Sequence, residues 1–209
     1  MSTDTLLIIG AGGNGRVIAD LADRTGQWSH IAFLDDALRA LKEGCPWEII
    51  GKCGDFSDHV SSFSHGLVAF GDNELRSHWL SHVQESNLQM PVIIAPSAEV
   101  SMRADLGPGT IVMPQAAVNI GARTGPGCII NTGSSIDHDC LLGESVHIAP
   151  GAHVGGDVAI GDRSWIGIGA AIRHGITIGM DVMIGAGAAV VSDLPDGCTA
   201  MGVPARPRT

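Results

Sequence analysis

Large aliphatic residues recur at every sixth position in the second half of the chain. The repeat runs from Val100 to Val190, and Thr124 is its one polar member. Its sixteen positions are Val100, Leu106, Val112, Val118, Thr124, Ile130, Ile136, Leu142, Ile148, Val154, Ile160, Ile166, Ile172, Ile178, Ile184 and Val190. Neither a helical period of about 3.6 residues nor a plain strand alternation produces a strict period of six. The pattern therefore predicts a parallel β-helix built from hexapeptides.

A second column of smaller residues lies two positions before each large one, and it includes Cys128 and Cys140. Three hexapeptides per triangular coil give about five coils, with both columns pointing into the prism. The two cysteines are then buried core thiols. Glycine follows the large residue at Gly107, Gly125, Gly143, Gly155, Gly161, Gly167, Gly179 and Gly185. We expect these glycines at corners that require a residue without a Cβ.

The first half of the chain alternates apolar runs with helical spacing and predicts a small α/β domain. The predicted strands are Thr5–Ile9, His30–Leu34, Leu67–Phe70 and Pro91–Ala95, and the predicted helices are Arg16–Thr25 and Asn73–Glu85. We assign residues 1–96 to this Rossmann-like βαβ domain. Residues 97–209 are assigned to the β-helix and a C-terminal tail.

A glycine-rich turn, G-A-G-G-N-G at residues 10–15, connects the first strand to the first helix. Such a turn lets backbone N–H groups and a helix N-terminus approach a phosphate. Asp35 and Asp36 follow the next strand, about 20 residues beyond the last glycine, where a dinucleotide fold places its ribose-binding acid. Three interpretations stay open: a turn without a ligand, NAD, or another phosphate-bearing ligand such as a nucleotide sugar. The last is favoured, because the domain lacks the second half that NAD normally occupies.

The overall charge narrows the choice of partners. The formal net charge is −10 at pH 7, which argues against nucleic acid, since phosphate binding needs a basic surface.

The N-terminal apolar run is too short for a signal peptide or a membrane span. Five cysteines without a C-x-x-C pair fit a reducing compartment and no zinc knuckle. We therefore expect a cytoplasmic protein.

Five motifs in a fixed order carry a resemblance that spans nearly the whole chain. They are G-A-G-G-N-G (10–15), F-L-D-D (33–36), F-G-D-N-E-L-R (70–76), I-N-T-G-S-S-I-D-H-D-C (130–140) and G-V-P-A-R (202–206). The sequence resembles the PglD/NeuD/PerB-type sugar acetyltransferases of the hexapeptide-repeat acyltransferase superfamily. The resemblance implies a left-handed β-helix and a homotrimer with active sites between subunits. It also implies a nucleotide-linked amino sugar in the N-terminal domain and acetyl-CoA on the β-helix of a neighbouring subunit.

Acetyl transfer to an amine needs a base that works near neutral pH, and imidazole is such a group. His138 lies among the positions that a triangular coil turns outward, and Asp139 beside it can orient the ring. We predict His138 as general base and Asp139 as its partner. Asp139 stands where the family often has Glu and has a shorter reach. Direct transfer is expected, because no cysteine lies beside a candidate base.

The resemblance carries further roles onto matching positions. It implies that Asn131 lies near the reacting centre and that the Gly156 N–H binds the oxyanion. Contacts with acetyl-CoA are implied for His147, Ile168 and Ala186 and proposed for Arg206 and Arg208 in the tail. Contacts with the nucleotide sugar are implied for Gly12, Gly13, Asn14, Gly71, Asp35 and Asp36. Ala186 stands where relatives have glycine. Asn14 stands where many relatives have histidine. No metal is expected.

The leading prediction is N-acetylation of the 4-amino group of a UDP- or GDP-linked 4-amino-4,6-dideoxy sugar. One alternative is O-acetylation of a sugar such as sialic acid. A second is a trimeric metal lyase of the γ-carbonic-anhydrase type, which needs three imidazoles converging on zinc. A sugar-binding scaffold without catalysis is the remaining alternative.

Overall fold

The protein consists of two compact units, Met1–Ile93 and Ile94–Thr209. The structure, a computed structural model, describes residues 3–37 and 45–208. No helix in these described ranges is both long and apolar enough to cross a membrane. The predicted division at residue 96, and the role assigned to each part, stay predictions.

The first unit is a four-stranded parallel sheet with helices. Its strands are β1 (Thr5–Ile9), β2 (His30–Leu34), β3 (Glu48–Gly51) and β4 (His65–Val68), and its α-helices are α1 (Gly13–Thr25), α2 (Phe56–His59) and α3 (Asn73–Gln84). Two short 3₁₀ segments, Cys53–Asp55 and Val60–Ser62, flank α2. The strand order is β3-β2-β1-β4, and every pairing is parallel. Leu6 to Ile9 are completely buried, as expected for a strand between two others.

Most predicted elements of this unit are confirmed, with differences at some of their ends and with two elements, α2 and β3, that were not predicted. Helix α1 begins at Gly13 instead of Arg16, with Gly12 as its N-cap. Strand β4 begins two residues before Leu67. Strand β3 was not predicted, because its residues are half-exposed at a sheet edge and give little hydrophobic signal.

The second unit is a parallel β-helix. After β5 (Ile93–Ile94) its strands are β6 (Glu99–Val100), β7 (Asp105–Leu106), β8 (Ile111–Val112), β9 (Ala117–Val118), β10 (Arg123–Thr124), β11 (Ile129–Ile130), β12 (Ser135–Ile136), β13 (Leu141–Leu142), β14 (His147–Ile148), β15 (His153–Val154), β16 (Ala159–Ile160), β17 (Trp165–Ile166), β18 (Ala171–Ile172), β19 (Thr177–Ile178), β20 (Met183–Ile184), β21 (Ala189–Val190), β22 (Thr199–Met201) and β23 (Arg206–Arg208). Strands six residues apart fall on three different sheets, of five, eight and six strands. The arrangement is that of a left-handed β-helix. The predicted strand Pro91–Ala95 is therefore wrong as an element of the α/β sheet, because its ordered part, β5, belongs to the eight-stranded sheet.

Residues 18 positions apart are neighbours on successive coils. For example, Ile130 of β11 pairs with Val112 on one side and Ile148 on the other. The predicted inward columns are confirmed: Ile130, Ile136, Ile148 and Ile166 are all completely buried. Because each column is continuous, the apolar core extends from coil to coil without large aromatic residues.

The polar residues of the prism interior make local hydrogen bonds. Thr124, the exception in the aliphatic column, lies 3.1 Å from Thr110 through their hydroxyl oxygens and accepts the N–H of Gly107. Cys128 and Cys140 are completely buried, and their thiols donate to backbone carbonyls of the next coil. They are core thiols, as predicted. The hydroxyls of Thr110 and Thr124 and the two thiols thus offset their desolvation with bonds to a neighbouring coil.

The glycines after the large aliphatic residues serve close packing and not a special backbone angle. A Cβ on Gly125 would lie 2.7 Å from the backbone of Gly143, and one on Gly107 would lie 2.5 Å from Gly125. The positive φ angles belong to other corner residues, such as Gly133 (φ 64°) and Asp139 (φ 59°). The expectation of corners without a Cβ is confirmed, but the physical reason is the closeness of the adjacent coil.

We predict that Gly125→Ala destabilises the β-helix more than Gly133→Ala does. The added methyl at 125 would overlap backbone atoms of the adjacent coil, so we expect a cost at or above the upper end of the about 1–3 kcal/mol that is typical of overpacking. Gly133 has open space around its Cβ position, so alanine there costs only its left-handed backbone, about 1–2 kcal/mol. Thermal unfolding midpoints of the two variants and the unaltered protein provide the measurement. Equal losses would contradict the explanation by coil packing.

Candidate functional site

The β-helix unit carries a histidine–aspartate pair at the turn after β12. His138 Nδ1 and Asp139 Oδ2 are 2.9 Å apart, so the predicted partnership is present despite the short reach of Asp. Asp139 has a left-handed backbone, and its N–H donates to the Ile120 carbonyl of the preceding coil. Gly121 lies beside it, and a Cβ there would collide with the Asp139 carboxylate. The glycine therefore leaves room for the carboxylate.

Gly156 lies under the His138 ring, one coil further on. A Cβ on Gly156 would be 2.6 Å from His138 Cε1 and still closer to Nε2. The backbone fixes this placement, since the Asp157 N–H donates to the His138 carbonyl at 2.9 Å. The structure thus brings together three of the predicted catalytic residues, His138, Asp139 and Gly156.

Three carboxylates surround His138, and two of them, Asp137 and Asp157, were missed by the sequence analysis. The hydrogen bond that His138 Nδ1 donates to Asp139 raises the pKa of His138, and the charges of Asp137 and Asp157 act in the same direction. Asp137 Oδ1 accepts both the His138 N–H and the Asn119 side-chain amide, each at 2.8 Å. These bonds hold the pKa of Asp137 below its usual range. The acidic residues on both sides of the histidine in I-D-H-D-C were the available signal.

Asn131 and His147 form a second polar pair on another face of the prism. Asn131 Nδ2 lies 3.0 Å from His147 Nε2, while Asn131 Oδ1 accepts the Thr132 N–H. Because the amide nitrogen donates, Nε2 is an acceptor and the neutral ring carries its proton on Nδ1. His147 is only 3% exposed and packs on Trp165, with ring centroids 4.1 Å apart. Its contact with acetyl-CoA stays a prediction.

The other residues assigned to acetyl-CoA lie on the surface of the β-helix unit. Ile168 and Ala186 occupy one corner of successive coils, joined by the Gly187 N–H to the Ile168 carbonyl at 2.8 Å. Ile168 is 59% exposed, and Ala186 is also exposed. Arg206 begins β23, which pairs antiparallel with β22. Arg206 is exposed. Within the described chain, the one hydrogen bond of its guanidinium goes to the Ala205 carbonyl.

In the α/β unit, the glycine-rich turn contains two kinds of glycine. Gly10 has φ 102° and faces the Phe70 ring, and a Cβ on Gly15 would collide with the Gly10 carbonyl. These two glycines are required by the fold. Gly12 and Gly13 have neither a positive φ nor any atom within 4 Å of a Cβ position.

Gly71, in the loop after β4, is open in the same way as Gly12 and Gly13. Because β1 and β4 are parallel neighbours, the turn after β1 and the loop after β4 lie at the same edge of the sheet. The three open glycines therefore give this edge of the unit space next to exposed backbone.

The acidic and amide side chains at this edge hold the loops in place. Asp35 accepts the N–H groups of Ala11 at 2.7 Å and Ala37 at 2.8 Å. Asp36 accepts the Cys53 N–H at 2.9 Å. Burial, together with the nearby Asp36 charge, raises the pKa of Cys53 to about 11, so this thiol stays protonated. Sequence reasoning assigned both acids to the nucleoside and missed these backbone bonds.

Asn14 also connects two loops. Its amide Nδ2 donates to the Ala69 carbonyl at 3.1 Å, which ties the start of α1 to the end of β4. Asn14, which stands where many relatives have histidine, therefore has a structural role in this chain: it holds the two loops together. Its predicted diphosphate contact stays a prediction.

Among the described residues, no group of three or more His, Cys, Asp or Glu side chains could hold a metal ion.

Family profiles match both units of the chain. The profile of the PglD N-terminal domain matches residues 5–83. The profile of the bacterial transferase hexapeptide (six repeats) matches residues 157–191. A search among curated proteins gave no match. The two profiles occur in the order that the sequence predicted, an α/β unit followed by hexapeptide repeats.

Solved structures match over the whole chain. The acetyltransferase domain of PglB from Neisseria gonorrhoeae FA1090 is 40% identical with a TM-score of 0.94, and the match covers 99% of this chain and 100% of that one. PerB from Caulobacter crescentus, in complex with CoA and GDP-perosamine, is 34% identical with a TM-score of 0.93, and the match covers 100% and 99%. WeeI from Acinetobacter baumannii AYE is 25% identical with a TM-score of 0.85, over 99% and 100%.

Fold and repeats together define a hexapeptide-repeat transferase with an N-terminal α/β unit. The chain belongs to the PglD/PerB-type sugar acetyltransferases, a family of acetyl-CoA-dependent enzymes. The resemblance noted in the sequence is thereby confirmed.

We predict that Asp139→Asn lowers the pKa of His138. The Asp139 carboxylate accepts a hydrogen bond from His138 Nδ1 and stabilises the imidazolium, which raises the pKa of His138. Removing the negative charge therefore lowers that pKa. An NMR titration of the His138 ring protons measures the effect. Asp193→Asn is the control, because Asp193 accepts the Thr177 N–H elsewhere on the β-helix. An unchanged His138 pKa in Asp139→Asn would contradict the assignment.

Proposed function

We propose that this chain transfers the acetyl group of acetyl-CoA to the 4-amino group of a UDP- or GDP-linked 4-amino-4,6-dideoxy sugar. The observation that carries the proposal is the His138–Asp139 pair above Gly156, in a chain of this family. The alignment with PerB, which is described in complex with GDP-perosamine, supports a sugar nucleotide as acceptor.

His138 acts as the general base. Asp139 occupies Nδ1, so Nδ1 carries a proton and Nε2 presents a lone pair to the substrate amine. The amine nitrogen forms a bond to the thioester carbonyl carbon as its proton moves to Nε2. Asp139 and the nearby charges stabilise the resulting imidazolium. The C–S bond then breaks, and the thiolate of CoA takes the proton and leaves as the thiol.

Gly156 provides an amide N–H for the tetrahedral oxyanion. In the described chain, the bonds to the neighbouring coils use the N–H groups of Gly155 and Asp157 and not that of Gly156 between them. A backbone donor that is fixed by the coil and not used by it suits this task. Asn131, which lies on another face of the prism, is assigned to this centre through the proposed contact between subunits, and its amide is fixed by His147.

The sugar nucleotide is assigned to the carboxyl edge of the α/β sheet. Gly12 and Gly13 start α1, a helix of 13 residues whose N-terminal N–H groups and dipole favour a diphosphate. Gly71 contributes open backbone from the neighbouring loop. Asp35 and Asp36 are assigned to the nucleoside, and Asn14 to the diphosphate.

Acetyl-CoA is assigned to the β-helix. The PglB domain from Neisseria gonorrhoeae is also described in complex with acetyl coenzyme A, at 40% identity to this chain. Ile168 and Ala186 offer an exposed apolar corner, and Arg206 offers a positive charge for phosphate. His147 is assigned a place near the thioester.

The active enzyme is proposed to be a homotrimer with active sites between subunits. Large apolar side chains stay more than one third exposed on the β-helix, including Ile120, Leu141 and Met183. Ile120 precedes His138 by one coil, so an apolar surface adjoins the base. Light scattering coupled to size exclusion measures the mass directly, and a monomer at assay concentration would contradict the trimer.

The first test is thiol release from acetyl-CoA with UDP- and GDP-linked 4-amino-4,6-dideoxy sugars. We expect release with one of these sugars, and a loss of about 10²–10⁴-fold in kcat for His138→Ala. His153→Ala is the control, because this exposed histidine contacts Ser135 on the same unit and has no assigned role. Release with hydroxyl acceptors alone would contradict N-acetylation, and full activity of His138→Ala would contradict the base.

A second test uses Gly156→Ala. The added methyl displaces the exposed His138 ring, which can move, so we expect kcat to fall by about tenfold or more while the unfolding midpoint changes little. Gly54→Ala serves as control, because Gly54 is exposed and has no atom within 4 Å of its Cβ position. Unchanged kcat in Gly156→Ala would contradict the placement of the base over this glycine.

A further inference from the structure

A completely buried arginine lies behind one of the loops assigned to the sugar nucleotide. Arg76, in the first turn of α3, has none of its surface exposed. Its Nη1 donates to the carbonyls of Phe70 at 2.9 Å and Gly71 at 3.2 Å, and its Nη2 donates to Asn73 Oδ1 at 2.6 Å. Burying a guanidinium is costly, and these bonds offset part of that cost. The charge therefore lies inside the unit, next to the loop backbone.

The arginine determines which way the loop's amide groups point. In a trans peptide unit the carbonyl and the next N–H point in opposite directions. The Phe70 and Gly71 carbonyls point at the buried guanidinium, so the N–H groups of Gly71 and Asp72 point away from it. Gly71 is half-buried and Asp72 is exposed, so this is the side on which a ligand has access.

The same loop is joined to the glycine-rich turn. The Phe70 ring lies 3.1 Å from a Cβ position on Gly10, and the Ala69 carbonyl accepts from Asn14. The loop after β4 therefore contacts the turn before α1 through both a ring and a hydrogen bond. Both loops follow adjacent parallel strands, and both contain open glycines.

We propose that Arg76 is a positioning residue for the diphosphate of the substrate: its bonds to Phe70 and Gly71 direct the N–H groups of Gly71 and Asp72 outward. Its positive charge lies behind these donors and attracts the diphosphate across an interior of low dielectric. The N-terminus of α3, a helix of 12 residues capped by Asp72, adds to the same field. This inference rests on the proposed function, because it assumes that a nucleoside diphosphate binds at this edge.

The test is calorimetric binding of UDP and GDP to the full-length protein and to Arg76→Gln and Arg76→Lys. For the diphosphate that the unaltered protein binds, we expect the Kd to rise about tenfold in Arg76→Gln. Arg76→Lys keeps the charge but lacks the planar fork, so we expect a smaller rise. The matching nucleoside, uridine or guanosine, has no phosphate, and its Kd should stay unchanged. The KM for acetyl-CoA should also stay unchanged.

Val83→Ala is the control for a purely structural effect. Val83 is completely buried in the same helix, so its truncation weakens the unit without touching the loop. The inference would be overturned if Arg76→Gln raised the Kd of the diphosphate and the Kd of the nucleoside by the same factor, and if that factor matched the one seen in Val83→Ala. So would an unchanged diphosphate Kd. If Arg76→Gln does not fold, Arg76→Lys and Asn73→Ala provide the same comparison. Failure of the unaltered protein to bind either diphosphate or its amino sugar would instead contradict the proposed function.

Discussion

The stacking of one coil on the next, 18 residues further along the chain, is the constraint on which the β-helix and its site depend. Backbone bonds set the spacing between coils, and the glycines at Gly107 and Gly125 permit the required closeness. The same spacing places His138 over Gly156 and Asp139 beside Gly121. A catalytic pair on such a scaffold is held by the main chain of three coils, so the geometry needs few dedicated side chains.

Carboxylates in both units act mainly by accepting backbone N–H groups. Asp35 and Asp36 fix the loops at the sheet edge, and Asp137 fixes the turn that carries His138. A carboxylate used in this way contributes both geometry and charge. At His138 the charge stabilises the protonated ring, whereas at the sheet edge it lies close to the place assigned to an anionic substrate. There the buried Arg76 and the starts of two helices supply the opposite sign.

The β-helix could be predicted almost completely from the sequence. Its period is strict because, at all but one position, each of the three sides of every coil places an aliphatic residue in the core. The α/β unit was harder. The buried strands β1 and β2 were found to the residue, but edge strand β3 lacked a hydrophobic signal. In the site, the partnership of His138 and Asp139 could be predicted from their adjacency. Hydrogen bonds between segments that are far apart in the chain, such as Ala11 N–H to Asp35 or the Asn14 amide to the Ala69 carbonyl, have no local pattern and emerged only from the fold.

The three-sided arrangement of the coils also constrains how such a chain can change length. A deletion of six residues between His138 and Gly156 would move every later residue to the next face of the prism while leaving the inward columns intact. The core would therefore still form, but His138 would face a different column and lose its glycine. A deletion of 18 residues removes a whole coil and returns each residue to its own face. Insertions and deletions in the β-helix are consequently tolerated by the core in steps of one hexapeptide, but they preserve the order of the faces only in steps of a complete coil.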